Sequence, residues 1–320
     1  MQPRVQFSPP AIGQAEIDAV VETLRGGWLT SGPKTLAFEK AFAERIGCEH
    51  AIAVSSCTAG LMLALHALGI GPGDKVATSV MTFTATVEAI IACGAEPVLV
   101  DIEPETLNLD IGALESAILA QPAIRAVMPI HYAGQACRMD AIEMLCRPRG
   151  VAVVEDAAHA LPTYYAERMI GTIGDATVFS FYANKTMTTG EGGMITTNDA
   201  MLAGRLRNKR LHGIRKPEVA GPEGKILTWQ YDVVEAGAKC NLSDIASAMG
   251  MVQLSRLDEL HGRRIAIARL YFAALAGLPL HMPKLTGEFD DHSWHLFVVR
   301  LDRSKAPITR NALSANLLSA

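Results

Sequence analysis

The chain has 320 residues, 49% hydrophobic and 19% charged, with a formal net charge of −4. That is enough apolar material for a large domain with an appendage, or for two domains. Charges of both signs are interspersed, so neither a basic face for nucleic acid nor a like-charge tail is expected. The opening segment, MQPRVQFSPPAIG, has no apolar run long enough for a secretory signal. From His50 to Gly73 there is no Asp, Glu, Lys or Arg, a length that would cross a bilayer. SSCTAG in its middle and GIGPG at its end divide it into a strand (51–55) and a helix (58–69), so no membrane span is expected. GIGPGD follows a helix and precedes a strand, the reverse of a dinucleotide-binding turn, and reads as an ordinary turn.

Short β-branched runs recur at 75–80, 97–101, 125–130, 151–155, 177–181 and 193–197. Several are apolar at nearly every position, as strands covered on both faces are. TATVEAIIACG (84–94) reads as another helix, and Gly69 and Gly94 as helix C-caps. Alternating strands and helices predict a mostly parallel sheet with helices on both faces. After residue 197 the pattern is helical over 200–213 and 243–277, with Ser243 as N-cap, and WHLFVVRLD (294–302) reads as a late strand. The expected division is a large domain over 1–245 and a smaller α+β domain over 246–320. Cys48, Cys57, Cys93, Cys137, Cys146 and Cys240 show no zinc-ligand spacing. They read as reduced, mostly buried thiols of a cytoplasmic protein, with no metal site expected.

Three stretches carry candidate chemistry. In AIAVSSCTAGLMLAL a strand passes into a helix through Ser56, Cys57, Thr58, Ala59 and Gly60. Small side chains, hydroxyls and free N–H groups at a helix start suit a phosphate dianion; an ordinary cap by Ser56 or Thr58 fits the same residues. In VAVVEDAAHALPT, Asp156 ends an apolar strand, on the edge where α/β sheets gather ligands, with His159 one turn on. It suits a cationic ring nitrogen, or merely caps the next segment. In FSFYANKTMTTGEGG, Lys185 stands between a buried strand and a glycine-rich turn. Burial there favours the neutral amine a Schiff-base lysine needs, whereas a snorkelling lysine is the structural alternative. Together, a phosphate cradle, a strand-end carboxylate and a desolvated lysine are the fittings for pyridoxal phosphate.

At these residues the chain resembles the DegT/StrS family of sugar-nucleotide aminotransferases. The matching pieces span almost the whole chain and include GWLTSGPKTLAFEKAF, IHYAGQ, VVEDAAHA, GDATVFSFYANKTMTTGEGGMITTND, NLSDIASAMGMVQLSRLDEL and WHLFVVRLD. IHYAG, VEDAAHA with TYY, and WHLF are most similar to the UDP-4-amino-4-deoxy-L-arabinose aminotransferase subgroup. The resemblance implies the PLP-dependent aminotransferase fold type I, an α/β class with a mostly parallel seven-stranded sheet and a smaller C-terminal domain, which in the family continues several dozen residues past ITRNALSANLLSA. It implies Lys185 as the lysine that bonds the cofactor, Asp156 on the pyridine nitrogen and His159 near the phenolic oxygen. Thr58, Ala59 and Ser180 would bind the phosphate, and Phe83 would stack on the ring. Asn241 would reach the phosphate of a neighbouring subunit, implying a homodimer with shared active sites. The implied reaction takes the amino group of L-glutamate to a nucleotide-linked keto sugar, in polysaccharide or lipopolysaccharide biosynthesis. A non-nucleotide ketone, inositol-type, and a non-catalytic regulatory protein are the alternatives; Lys185 argues against dehydratase relatives, which carry histidine there. Cys57, where Gly is common, and Cys240, where Tyr is common, depart from the family pattern.

Overall fold

The computed structural model describes residues 8–215 and 231–319; residues 1–7 of the opening segment lie outside that range. The apolar β-branched runs form seven strands of one sheet. They are β1 (His50–Val54), β2 (Lys75–Ser79), β3 (Glu96–Val100), β4 (Ile124–Met128), β5 (Ala152–Asp156), β8 (Ala176–Ser180) and β9 (Gly193–Thr197). A small hairpin, β6 (Tyr164–Tyr165) and β7 (Arg168–Met169), lies between β5 and β8 in sequence. The order across the sheet is β1-β9-β8-β5-β4-β2-β3. All neighbours are parallel except β9, which runs antiparallel to both β1 and β8. Every expected strand of this sheet is present, with ends shifted by no more than two residues.

Among the described residues through 274, nine α-helices accompany the sheet: α1 (Gln14–Gly26), α2 (Pro33–Ile46), α3 (Cys57–Ala67), α4 (Thr84–Ala92), α5 (Ile111–Ala120), α6 (Met139–Cys146), α7 (Ala200–Lys209), α8 (Asp244–Ser255) and α9 (Leu257–Ala274). Period-two alternation sends side chains of one strand into two separate cores. Phe179 joins Phe38, Phe42 and Phe181 in one, whereas its neighbour Val178 joins Leu61, Leu65 and Ile90 in the other. Phe42 packs on Phe179 and Phe181 at ring distances of 5.3 and 5.5 Å. The uncharged run 50–73 is β1 plus the 11-residue α3, and no described helix is long and apolar enough to cross a membrane. Gly69 and Gly94, at φ of +78° and +79°, end their helices in the left-handed region. All six cysteines are free, five of them buried.

Two expectations differ from the structure. The helical pattern over 243–277 is two helices, α8 and α9, broken at Arg256 (φ −100°, ψ 5°). At this junction the Arg256 guanidinium pairs with Glu16 at 2.6 Å and Glu259 at 3.2 Å, which ties the break to α1 and α9. Ser243 does cap α8, its Oγ accepting from the Ala246 N–H at 3.2 Å. Asp244, next to it, caps a second helix: its carboxylate accepts the N–H groups of Gly32, Lys34 and Thr35 at the start of α2. The expected strand 294–302 pairs only at Arg300–Leu301, with Leu280–His281. Its first half is a loop because Trp294 sits at φ +50° and the amides of Ser293 and Leu296 donate to loop carbonyls, those of Gly134 and Ala133, at 3.1 Å each. Rings of Phe272, Phe289 and Phe297 pack around Trp294 at 4.7–5.8 Å and fix this conformation.

Candidate active site

The carboxyl ends of the parallel strands carry the titratable cluster, as expected for an open α/β sheet. Asp156 is the last residue of β5 and is 5% exposed. Its carboxylate is oriented by two donors: the Thr86 hydroxyl reaches Oδ2 at 2.7 Å and the Ala158 N–H reaches Oδ1 at 3.1 Å. Thr86 lies on α4, whose N-cap residue is Phe83. The sequence therefore places the expected stacking aromatic one helical turn before a ligand of the carboxylate. Phe83 itself is 75% exposed.

Lys185 follows β8 in a turn closed by its own N–H donating to the Tyr182 carbonyl at 3.0 Å. Burial pulls its pKa below the usual lysine value and Arg264 pushes the same way, whereas the Asp156 carboxylate opposes both. Burial raises the pKa of Asp156, against Thr86, Ala158 and the charge of Lys185. Acid and amine thus sense each other's charge, yet no ion pair joins them among the described residues. His159 is held neutral, its pKa pushed by burial, with help from Lys185, to about 3.

The helix-start cradle is built as the sequence suggests, with the cap assigned. Ser56 Oγ accepts from the Ala59 N–H at 3.1 Å, so Ser56 and not Thr58 is the N-cap of α3. Ser180, 8% exposed, ends β8 beside it, and Cys57 Sγ lies 3.7 Å from the Val178 carbonyl oxygen. Gly193, opening β9, is required here: a Cβ would stand 2.8 Å from the Cys57 nitrogen and 2.7 Å from the Phe179 oxygen. Gly193→Ala is expected to lose about 1–3 kcal/mol of stability by overpacking, read by urea denaturation; unchanged stability would contradict this packing. Asn241 bridges to Val54 at the end of β1, its Nδ2 donates to Ser31 Oγ at 2.6 Å, and Lys239 reaches its Oδ1.

Sequence reasoning missed four residues of the cluster: Thr86, Asn184, Arg264 and His295. His295 Nε2 lies 3.4 Å from Lys185 Nζ, and its ring packs 4.3 Å from that of His159. Arg264 donates to the carbonyls of Asn184, Trp294 and His295 at 3.3–3.4 Å. WHLF held His295 in plain view, but nothing local connects it to a lysine 110 positions away. A separate cleft of about 370 Å³ between the β6–β7 hairpin and residues 285–292 includes neither Lys185 nor Asp156 in its lining.

A mostly parallel sheet with a buried acid, a partly desolvated lysine and a capped helix start on its carboxyl edge is an arrangement that suits an aminotransferase of the α/β class. Residues 10–320 match the family model for DegT/DnrJ/EryC1/StrS aminotransferases, and the chain belongs to this family. It is 48% identical over 307 residues to the spore coat polysaccharide biosynthesis protein SpsC of Bacillus subtilis, covering 96% of this chain and 78% of SpsC. Among solved structures, the aminotransferase TlmJ from Streptoalloteichus hindustanus is similar at a TM-score of 0.89 and 36% identity, over 98% of this chain and 82% of TlmJ. Spr1654 from Streptococcus pneumoniae, a proposed sugar aminotransferase solved in a PLP form, is similar at 0.85 and 34% identity, over 93% of this chain and 78% of that one.

Proposed function

We propose that this protein is a pyridoxal-phosphate-dependent transaminase that moves the amino group of L-glutamate to the keto carbon of a nucleotide-linked sugar. The observation that carries the reading is the cluster on the carboxyl edge of the sheet: the buried Asp156 carboxylate oriented by Thr86 and Ala158, and the half-buried Lys185 amine against His295. The surroundings fit a bound planar group. His159 Nδ1, Asn184 Oδ1 and His295 Nδ1 are buried without hydrogen-bond partners among the described residues. Buried polar atoms are normally satisfied, so a bound molecule supplies the missing partners. The family's PLP-form structure supports the same cofactor, and the name of SpsC supports a sugar acceptor in polysaccharide synthesis.

Bound there, pyridoxal phosphate supplies an electron sink for the carbanion left when a substrate α-proton departs. Every other contribution comes from the chain. Asp156, its two oxygens fixed by Thr86 and Ala158, holds a proton on the ring nitrogen. A pyridinium beside it also offsets the burial that otherwise raises its pKa. Lys185 Nζ, whose charged form burial disfavours, would be the point of attachment and the group that takes up and gives back a substrate proton. The α3 start with Thr58, Ala59 and Ser180 would hold the phosphate, Phe83 would pack on the ring, and His159 would serve the phenolic oxygen. Asn241 serves the site of a second copy, making the working unit a homodimer. We further propose the division into 1–245 and 246–320, and a cytoplasmic location.

The test is an amination panel of UDP-, dTDP- and GDP-linked keto sugars with glutamate, following 2-oxoglutarate and the amino sugar by mass spectrometry. One nucleotide class is expected to yield both products in equal amounts. Amination of a free cyclitol ketone, with every nucleotide sugar inert, would overturn the acceptor class.

A further inference from the structure

His295 is placed by three elements. Its own loop is tied to the large sheet through the Ser293 and Leu296 amides on Gly134 and Ala133, and through Ser293 Oγ, which donates to the His159 carbonyl. Arg264, on α9, reaches the carbonyls of His295 and of Asn184, the residue before Lys185. One guanidinium thereby locks the histidine loop to the lysine loop. The ring is further fixed against His159, at 4.3 Å and 34°. The result is Nε2 at 3.4 Å from Lys185 Nζ, the long end of hydrogen-bond distance.

We propose that His295 is a positioning residue for the Lys185 amine, accepting its N–H at Nε2 and so directing the lone pair that must take and return a proton. A lysine amine ends a flexible four-carbon stem, and proton transfer demands a fixed approach. A ring serving only as packing for His159 has no need to turn a nitrogen toward the amine. If Nε2 accepts, the ring proton lies on Nδ1, which is buried and has no partner among the described residues. That unused donor is then available to a bound molecule, beside the equally unpartnered His159 Nδ1.

The groups around the amine are Cys57 at the start of α3, Asp156 at the end of β5, His159, Arg264 and His295. Burial keeps both imidazoles neutral and the Cys57 thiol protonated. His295 therefore acts on Lys185 as a hydrogen-bond acceptor and not as a charge. An acceptor favours the ammonium, so its removal lowers the pKa of the amine further. The catalytic consequence rests on the transaminase reading; the contact itself does not.

The test follows trinitrobenzenesulfonate labelling of Lys185 against pH in full-length protein freed of small molecules, resolved by peptide mass spectrometry. It involves no turnover, so it stands apart from the amination panel. His295→Phe keeps a ring against His159 but no acceptor; His295→Gln keeps an acceptor but no ring. The labelling midpoint is expected to fall by about one pH unit in His295→Phe, the size of one modest hydrogen bond to a charged group. In His295→Gln it is expected to return towards the wild-type value. An unchanged midpoint in a His295→Phe protein of native Tm overturns the proposal. So does an equal fall in both variants, which would make ring packing the cause. If His295→Phe does not fold, His295→Leu takes its place against His295→Gln with the same two outcomes.

Discussion

Lys185→Ala is expected to abolish amino transfer, with a fall in kcat/KM of roughly 10³-fold or more and no loss of stability. The two halves of this expectation have separate physical origins. Positioned proton transfer contributes about 10²–10⁴-fold, and the same amine is also the point of covalent attachment. Stability moves the other way because burial already disfavours the lysine charge. Asp156, which attracts that charge, does not close on it as an ion pair. Alanine therefore removes a group that is poorly solvated in the folded state. Lys185→Arg separates the roles further: it keeps a cation beside Asp156, but a guanidinium does not give up its proton at working pH. Both variants are expected to bind the cofactor reversibly and to fail the glutamate half-reaction in stopped-flow absorbance. Wild-type half-reaction rates in either variant would remove Lys185 from the chemistry.

The sheet was legible because its strands are apolar on both faces and bounded by turn residues. β8 and β9 are buried at all five positions each; the limits of β9 match the sequence reading and those of β8 shift by one residue. Lys185 and Asp156 were legible for a related reason. A charge that interrupts a buried run at a strand end has few structural excuses, and topology sends such ends to one edge. The residues that were missed act across the chain. Thr86 holds Asp156 from 70 positions away, and Arg264 holds the Lys185 loop from 80. No periodicity encodes such pairings, since they exist only once the helices have docked. WHLFVVRLD failed as a strand for the opposite reason. Its residues are β-favouring, but Trp294 packs among Phe272, Phe289 and Phe297 instead of in a sheet. Tertiary packing then overrides local propensity. The consequence is functional, because that same departure carries His295 to the lysine.

Asp156→Asn is expected to weaken cofactor binding by roughly 10- to 100-fold, the worth of a charge-assisted hydrogen bond of about 1.5–3 kcal/mol. It is also expected to slow the glutamate half-reaction, because an amide does not hold the ring nitrogen protonated. The side chain is nearly isosteric, so the fold is retained. Only one amide atom accepts, however, leaving either the Thr86 hydroxyl or the Ala158 N–H without its present partner. The sign of the pH effect distinguishes a cofactor-binding acid from a structural cap. Burial raises the pKa of Asp156, so in the empty site it takes up a proton at a higher pH than an exposed aspartate does. Wild-type affinity for the cofactor should therefore fall on the acid side earlier than an exposed aspartate would allow. Asp156→Asn, having no proton to gain there, should lose that part of the profile. A cap role predicts the reverse pattern: a loss of thermal stability in Asp156→Asn, with affinity and its acid limb unchanged. Lys185 supplies an internal check on either outcome. Removing the carboxylate takes away an attraction that favours the ammonium, so the labelling midpoint of Lys185 should move down in Asp156→Asn. A midpoint that stays put would mean that acid and amine do not sense each other, against their proposed service to one bound ring.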